Sequence, residues 1–333
     1  MRKILRSLAT GLLATALCAC GERSAQGPET SPVAQEVPSA TTAEVPASVP
    51  VQAPDAGPDD GTSGVGQQLA SRQWTGDFDG MVERRRVRIL APYSRTYYFI
   101  DKGVPHGIAH EVAVMLEKTL NEQLKTGQAN KVLVNVVPTS RDALYESLVQ
   151  GRGDIIVAGI TMTPERAKLV DFTVPTKKNV RQIVVTGPGA PRIATLDDLA
   201  GQEVAVREGS IQFDSLGTVN AALKSRGKTP VRIRTVPKVL EDEDVLEMAN
   251  AGLLKIVVVD EVYADFWKQI LPGITPHPDI VVRDEGALAW AVRKGSPKLI
   301  ATLNPIVEAN AEGTLFGNLL LRKHSQDLRS AFF

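Results

Sequence analysis

Hydrophobic and polar positions along the chain follow two periods in turn, one typical of strands and one typical of helices. The predicted strands are 87–91, 132–137, 154–158, 181–186, 203–206, 231–236, 256–259, 280–282 and 288–292. The predicted helices are 111–125, 140–150, 196–199, 210–225, 242–251, 261–270 and 297–312. Strands that alternate with helices predict an α/β protein, in which mostly parallel sheets are flanked by helices.

The first 75 residues are expected to lie outside this fold. Residues 1–20 join a basic start to a short apolar core, which is typical of a signal peptide and too short to span a bilayer. The segment ends like a bacterial lipobox, and Cys20 fits lipidation better than Cys18 because the small residue Ala19 precedes it. Gly21 follows, and the absence of Asp there resembles lipoproteins of the outer membrane. Residues 21–75 are rich in Pro, Ala, Ser and Thr, so we expect a disordered tether.

Composition excludes several classes of function. The chain has 38 basic and 38 acidic residues, and a balanced charge gives no support for nucleic-acid binding. Both cysteines lie in the signal segment, which leaves none for a disulfide or a thiol nucleophile in the folded part. The four histidines lack metal-ligand spacing, and no phosphate-binding loop or nucleophile elbow occurs. We therefore expect no metal, no cofactor and no catalytic residues.

The segment 159–166, Gly-Ile-Thr-Met-Thr-Pro-Glu-Arg, carries the clearest local chemistry. It follows the buried strand 154–158 and opens a helix, which brings backbone N–H groups, two hydroxyls and the Arg166 guanidinium to one place. That combination suits a carboxylate. A simpler interpretation is a helix start, with Thr163 as N-cap and Pro164 at the first helical position. The motif alone does not decide between the two.

Several further motifs occur in a characteristic order: Thr-Tyr-Tyr-Phe at 96–99, Gly-Arg-Gly-Asp at 151–154, Asp-Phe-Thr-Val-Pro at 171–175, Val-Arg-Glu-Gly-Ser at 206–210 and Val-Val-Val-Asp at 257–260. Together they resemble solute-binding protein family 3, and within it the N-terminal domain of the lytic murein transglycosylase F group. The resemblance implies a two-lobed, type II periplasmic binding fold over 80–325, followed by a tail at 326–333. Lobe one would be 80–182 plus 281–325 and lobe two 183–280, with crossing strands near 180–184 and 280–283.

The resemblance also implies a ligand site in the cleft between the lobes. Arg166 matches the arginine that pairs with the α-carboxylate of an amino acid, supported by Thr161 and the Gly159 backbone. Asp260 matches the acid that receives the α-amino group, although capping of the next helix is the alternative. The remaining predicted contacts are Ser210, Ile211 and Tyr97. Ile211 departs from the family, where a second hydroxyl often stands at this position.

These features predict a lipid-anchored periplasmic protein that captures a small zwitterionic ligand: an amino acid, a short peptide or a peptidoglycan-derived peptide. The first alternative is the receptor of an amino-acid ABC transporter, with a permease as partner. The second is a transglycosylase F-like enzyme shortened before its catalytic domain, since the printed sequence ends at Phe333 where that domain would begin. We expect a protein that is not an enzyme unless such a downstream domain is missing.

Overall fold

The computed structural model describes residues 73–311 of the chain. The strands in this range are β1 (Arg86–Ala91), β2 (Phe99–Asp101), β3 (Val104–His106), β4 (Leu133–Pro138), β5 (Ile155–Thr161), β6 (Val170–Phe172), β7 (Lys177–Thr186), β8 (Glu203–Arg207), β9 (Arg232–Val236), β10 (Ile256–Asp260) and β11 (Thr275–Arg293). The α-helices are α1 (Phe78–Glu83), α2 (Ile108–Leu124), α3 (Leu144–Val149), α4 (Pro164–Leu169), α5 (Ile211–Ser225), α6 (Asp242–Asn250), α7 (Glu261–Lys268) and α8 (Pro297–Asn310). Short 3₁₀ helices occupy Gln128–Asn130, Arg141–Ala143 and Leu196–Leu199.

One mixed sheet runs through the described part of the chain in the order β4-β1-β5-β11-β7-β10-β8-β9, and β6 pairs with β11. At one end β1 pairs in parallel with β4 and β5. At the other end β8 pairs in parallel with β10 and β9. We name the first group, residues 73–176 and 294–311, lobe one, and the second group, residues 187–274, lobe two.

The long strands β7 and β11 join the two lobes. They pair with each other in antiparallel fashion, β7 also pairs with β10 of lobe two, and β11 also pairs with β5 and β6 of lobe one. This arrangement confirms the predicted α/β fold of two lobes joined by two crossing strands. The segments 280–282 and 288–292, predicted as separate strands, belong to one continuous strand. The polar residues between them lie where the pairing register shifts and where Glu285 has a φ of 65°.

Apolar side chains pack against both faces of the sheet, as the helical periodicity predicts. The largest core cluster extends through both lobes and includes Leu116 and Leu120 of α2 and the fully buried Trp267 of α7. A second cluster fills lobe two between its strands and α5, and a third packs α3 against β5. These cores hold the strand ends in place, and polar and charged side chains cluster at the ends of β5, β8 and β10.

Most predicted elements are confirmed within one to four residues at their ends. The helix predicted over 140–150 is a 3₁₀ turn followed by α3, and three short pieces, α1, the β2–β3 hairpin and β6, were not predicted because they are too short to show a period. No helix within residues 73–311 is long and apolar enough to cross a membrane. Some predictions concern residues outside the described range: the signal peptide, the lipidation of Cys20 and the tail at 326–333. Of the predicted tether at 21–75, only residues 73–75 are described.

Candidate ligand-binding site

A cavity of about 280 Å³ lies between the two lobes, at the ends of several strands. Lobe one contributes the end of β5 and the first turn of α4, and lobe two contributes the ends of β8 and β10 and the first turn of α5. Five of the seven predicted ligand contacts line it: Gly159, Thr161, Arg166, Ile211 and Asp260. The location agrees with the general rule that ligands of such sheets bind beyond the carboxyl ends of the strands.

Arg166 stands in the first turn of α4, and the helix start itself is confirmed. Thr163 is the N-cap, its hydroxyl accepts a hydrogen bond from the Arg166 amide at 3.2 Å, and Pro164 opens the helix. The guanidinium donates from Nη1 to the Thr161 carbonyl oxygen at 2.9 Å. No carboxylate among residues 73–311 forms an ion pair with it. A helix start and an anion site are thus compatible, because the cap occupies the Thr163 hydroxyl and leaves the Arg166 side chain at the cavity.

The electrostatic surroundings of Arg166 favour an incoming anion. Burial lowers the pKa of its guanidinium; Tyr145 acts in the opposite direction, and the positive charges of Arg141 and Arg207 lower the pKa further. A half-buried guanidinium next to other cations is stabilised by any carboxylate that can reach it. Its planar fork of donors also matches the geometry of a carboxylate.

Asp260 is the last residue of β10 and occupies the N-cap position of α7, but its side chain makes no capping hydrogen bond. The carboxylate is 3% exposed and accepts a hydrogen bond from Gln212 Nε2 at 3.0 Å. Burial raises the pKa of Asp260 to about 7, and the negative charge of Asp242 adds to the effect, whereas hydrogen bonds from Gln212 and Gln182 oppose it. A buried carboxylate of this kind attracts a cation, since a paired positive charge would restore its ordinary ionisation.

Gly159 has a structural role that the sequence did not reveal. Its φ is +56°, and a Cβ atom there would collide with the hydroxyl oxygens of Tyr263 and Tyr97. The two hydroxyls are hydrogen-bonded to each other, and they join lobe one to lobe two directly behind the glycine. Glycine is required at this position because both the conformation and the contact exclude a side chain.

Two of the predicted contacts lie behind the cavity wall. Tyr97 is 4% exposed, because its ring packs in the core and its hydroxyl is bonded to Tyr263. Ser210 is the N-cap of α5, where its hydroxyl accepts from the Phe213 amide at 3.2 Å, and it is 2% exposed. Neither residue is among those that line the cavity. Ile211, the next residue, is half-buried and does line it, so the wall here is apolar.

Ten of the fifteen residues that line the cavity were not predicted as contacts from the sequence. Three of these ten have a buried polar atom without a hydrogen-bond partner in the described part of the chain: Tyr145 Oη, Arg207 Nε and Gln212 Oε1. Such atoms are costly in a protein interior, and they therefore mark where a ligand can form hydrogen bonds. A signal for Arg207 existed, since it ends a buried strand next to the Gly-Ser turn. No local pattern distinguished Tyr145 from an ordinary helix residue.

Hydrogen bonds between the lobes surround the cavity. Arg141 of lobe one donates from Nε to both carboxylate oxygens of Glu241 of lobe two, each at 2.7 Å. The Thr96 amide donates to Glu243 Oε1 at 3.1 Å, and Trp267 Nε1 donates to Thr96 Oγ1 at 3.2 Å. Burial raises the pKa of Glu243 to about 7, with the charge of Glu241 as a second cause. These contacts join the two lobes directly.

The residues at the cavity suit an organic zwitterion better than a metal ion. Within residues 73–311 no group of three or more His, Cys, Asp or Glu side chains is placed to hold a metal. The acidic run Glu241-Asp242-Glu243-Asp244 opens α6, where Glu241 and Asp244 form a reciprocal capping box. Its carboxylates therefore serve the helix start and the contacts between lobes.

Comparison with known proteins identifies the family. The model of the bacterial extracellular solute-binding proteins, family 3, matches residues 87–317. A membrane-bound lytic murein transglycosylase F of Desulfosudis oleivorans (strain DSM 6200 / JCM 39069 / Hxd3) is 28% identical over 242 residues, which cover 72% of this chain and 49% of that protein. The L-cystine-binding protein TcyJ of Escherichia coli (strain K12) is 27% identical over 217 residues, 65% of this chain and 73% of that protein. The chain thus spans about half the length of the transglycosylase relative.

Solved structures confirm the predicted type II periplasmic binding fold. The ancestral amino acid-binding protein AncCDT-1, a precursor of cyclohexadienyl dehydratase, matches with a TM-score of 0.56 and 25% identity over 74% of this chain and 97% of that one. The substrate binding protein of an amino acid ABC transporter matches with a TM-score of 0.55 and 21% identity over 73% and 98%. Since the family model covers every residue that lines the cavity, the chain belongs to the bacterial extracellular solute-binding proteins, family 3.

Proposed function

We propose that this chain is a lipid-anchored periplasmic protein that captures a small zwitterionic ligand between its lobes. One observation carries the proposal: Arg166, whose guanidinium has no ion-pair partner among residues 73–311, and the buried carboxylate of Asp260 line the same cavity from different lobes. A ligand with a carboxylate and an ammonium group satisfies both. An amino acid, a short peptide or a peptidoglycan-derived peptide has this chemistry.

Binding is expected to use each group for one end of the zwitterion. The Arg166 fork receives the ligand carboxylate, next to Thr161 and the free Tyr145 hydroxyl. The ammonium donates to Asp260 and to the unpartnered Gln212 Oε1. Because these residues come from both lobes, the ligand bridges them and favours closure by a hinge motion in β7 and β11.

The proposed role is binding rather than catalysis. The proposed anchor is a lipid on Cys20, and Gly21 after that cysteine favours the outer membrane of a Gram-negative cell. Two more specific roles remain as alternatives. The likeness to TcyJ and to an ABC transporter protein supports a receptor for uptake. The likeness to transglycosylase F supports a ligand-sensing domain of the peptidoglycan machinery. A muropeptide ligand would favour sensing, whereas a free amino acid and binding to a permease would favour uptake.

Calorimetry with a library of amino acids, dipeptides and muropeptides tests the proposal. Arg166→Ala removes a charge-assisted contact and should weaken the best ligand by about 2–4 kcal/mol, roughly 30- to 1000-fold. Thr161→Val should cost only about 1 kcal/mol. The matched control is Lys168→Ala, which removes an exposed cation from the same helix. Equal affinity of Arg166→Ala and wild type would show that the carboxylate binds elsewhere.

A further inference from the structure

A second guanidinium in the cavity, that of Arg207, has an N–H donor without an acceptor among the described residues. Arg207 is the last residue of β8 and lines the cavity, and its side chain is 12% exposed. Its Nη2 lies 3.3 Å from Asp242 Oδ1, at the long end of hydrogen-bond distance, and its Nε is buried and has no hydrogen-bond partner within the described range 73–311. The guanidinium therefore has one long contact to a carboxylate, and its buried Nε needs an acceptor.

The third guanidinium of the cavity, that of Arg141, differs from Arg207 because it is fully engaged in hydrogen bonds to other residues. Arg141 donates to both oxygens of Glu241 at 2.7 Å and to the Ala158 carbonyl oxygen at 3.0 Å. These contacts commit Arg141 to the junction of the lobes. Arg166 and Arg207 lack such a carboxylate clamp, and they are close enough for the charge of Arg207 to lower the pKa of Arg166.

The sheet places a further cation on the same wall. Arg207 is in register with Val236 of the parallel neighbour β9, and Lys238 follows two residues later and also lines the cavity. The Lys238 ammonium is 3.8 Å from Asp142 Oδ2, beyond hydrogen-bond distance. One cation thus ends β8 and another follows the end of the adjacent parallel strand β9, and each is only loosely paired with an aspartate.

We propose that Arg207 forms a second anion subsite, so that the ligand is an α-amino acid with a second carboxylate. This inference rests on the proposed function: Arg166 takes the α-carboxylate, Asp260 takes the ammonium, and Arg207 takes the distal carboxylate. The volume of about 280 Å³ is at the small end of ligand pockets and suits a ligand of this size.

The acids of the cavity suit a distal cation less well. Asp242 begins α6, where the helix N-terminus stabilises its negative charge, and it already faces Arg207. Glu208 is exposed to solvent. The unpartnered buried donor is on the arginine, and a ligand carboxylate supplies the acceptor that this donor lacks.

The test compares pairs of ligands that differ only in the distal charge. Calorimetry on the full chain at pH 8 should give at least tenfold tighter binding, about one charged hydrogen bond, for L-glutamate than for L-glutamine, or for L-aspartate than for L-asparagine. The D-enantiomers and L-lysine complete the set. This comparison uses the wild-type protein, so its result does not depend on the folding of any variant.

Variants then assign the effect to one residue. Arg207→Met should lower the affinity for the acidic member of the pair at least tenfold and leave the amide member within about twofold, and Arg207→Lys should restore part of the preference. Arg234→Met, which removes an exposed arginine from the adjacent strand β9, is the control and should change neither affinity. Thermal unfolding checks that each variant is folded.

The outcomes separate this inference from the proposed function. If glutamine binds as tightly as glutamate, or lysine binds best, the Arg207 subsite is wrong while zwitterion binding stands. If the acidic ligand is preferred but Arg207→Met keeps the preference, another residue holds the distal carboxylate and the assignment is overturned. If no amino acid and no muropeptide binds, both proposals fail.

Discussion

Protonation of Asp260 should control the affinity for any ligand that presents an ammonium group. Asp260 is 3% exposed, and burial raises the pKa of its carboxylate to about 7. Only the ionised form pairs with an ammonium. The bound ligand should therefore return the pKa of Asp260 towards its ordinary acidic range, and binding should release a proton whenever Asp260 is protonated beforehand.

The expected size follows from the raised pKa. At pH 8 most of the ligand-free protein already has an ionised Asp260, whereas at pH 5 about one molecule in a hundred does. Affinity should fall about 100-fold between pH 8 and pH 5, close to 3 kcal/mol, as long as the bound carboxylate stays ionised. The loss should begin near pH 7 and then approach tenfold for each pH unit.

Other ionisable groups near Asp260 set the controls for this experiment. Asp242 raises its pKa, Arg207 lowers it, and Tyr263 senses its charge. Glu243 also has a pKa of about 7, because it is buried at the junction of the lobes. Glu243→Gln should therefore keep the ligand-linked change in affinity if Asp260 is its source.

The assay is calorimetry from pH 5 to pH 8 in buffers of different ionisation enthalpy, which counts the protons released on binding. Asp260→Asn should bind weakly and with little dependence on pH. Asp265→Asn, an exposed aspartate on the same helix, should behave as wild type. An affinity that stays constant over this range, with no proton release near pH 6, would refute the pairing of Asp260 with the ligand ammonium.

Three further predictions address other parts of the chain. Gly159→Ala should lower both thermal stability and ligand affinity, because its Cβ would collide with two tyrosine hydroxyls. Removing these hydroxyls by Tyr97→Phe and Tyr263→Phe in the same protein should restore part of the stability. If the triple variant is no more stable than Gly159→Ala, backbone strain alone causes the loss. Ile211→Thr should raise amino-acid affinity by about 1 kcal/mol with unchanged stability, and lower stability without tighter binding would show that the side chain serves the core instead. Cys20→Ser should release the protein from the membrane fraction, and normal processing with full membrane retention would contradict lipidation.

Local sequence signals were sufficient for the scaffold because each buried strand and each amphipathic helix carries its own pattern. The apolar run 256–259 predicts β10, and Asp260 directly after it falls where strands of such sheets meet ligands. Arg166 was accessible in the same way, since the Thr-Pro cap fixes where α4 begins and hence where its first turn lies.

The remainder of the site depends on contacts between distant residues, which no local pattern reveals. Tyr97 was expected on the wall, but its partner Tyr263 is 166 positions away, and the hydroxyl pair holds the ring behind Gly159. The sequence cannot tell whether the Ser210 hydroxyl caps a helix or contacts a ligand. In the structure it caps α5. The sequence does not show that the Arg141 guanidinium is paired, because its partner Glu241 is 100 positions away, nor that Arg207 Nε is left without an acceptor among residues 73–311.

The two sets of charges between the lobes act on closure in opposite ways. The Arg141–Glu241 pair is complete without a ligand, so it favours the closed arrangement at all times. Asp260 and Arg166 instead place charges at the cavity that have no ion-pair partner among residues 73–311, and this opposes closure because unpaired charges shielded from water are costly. A zwitterion removes that opposition at both ends at once. Closure of the lobes thereby depends on the ligand. The more of the cavity charge a ligand neutralises, the more strongly it favours closure.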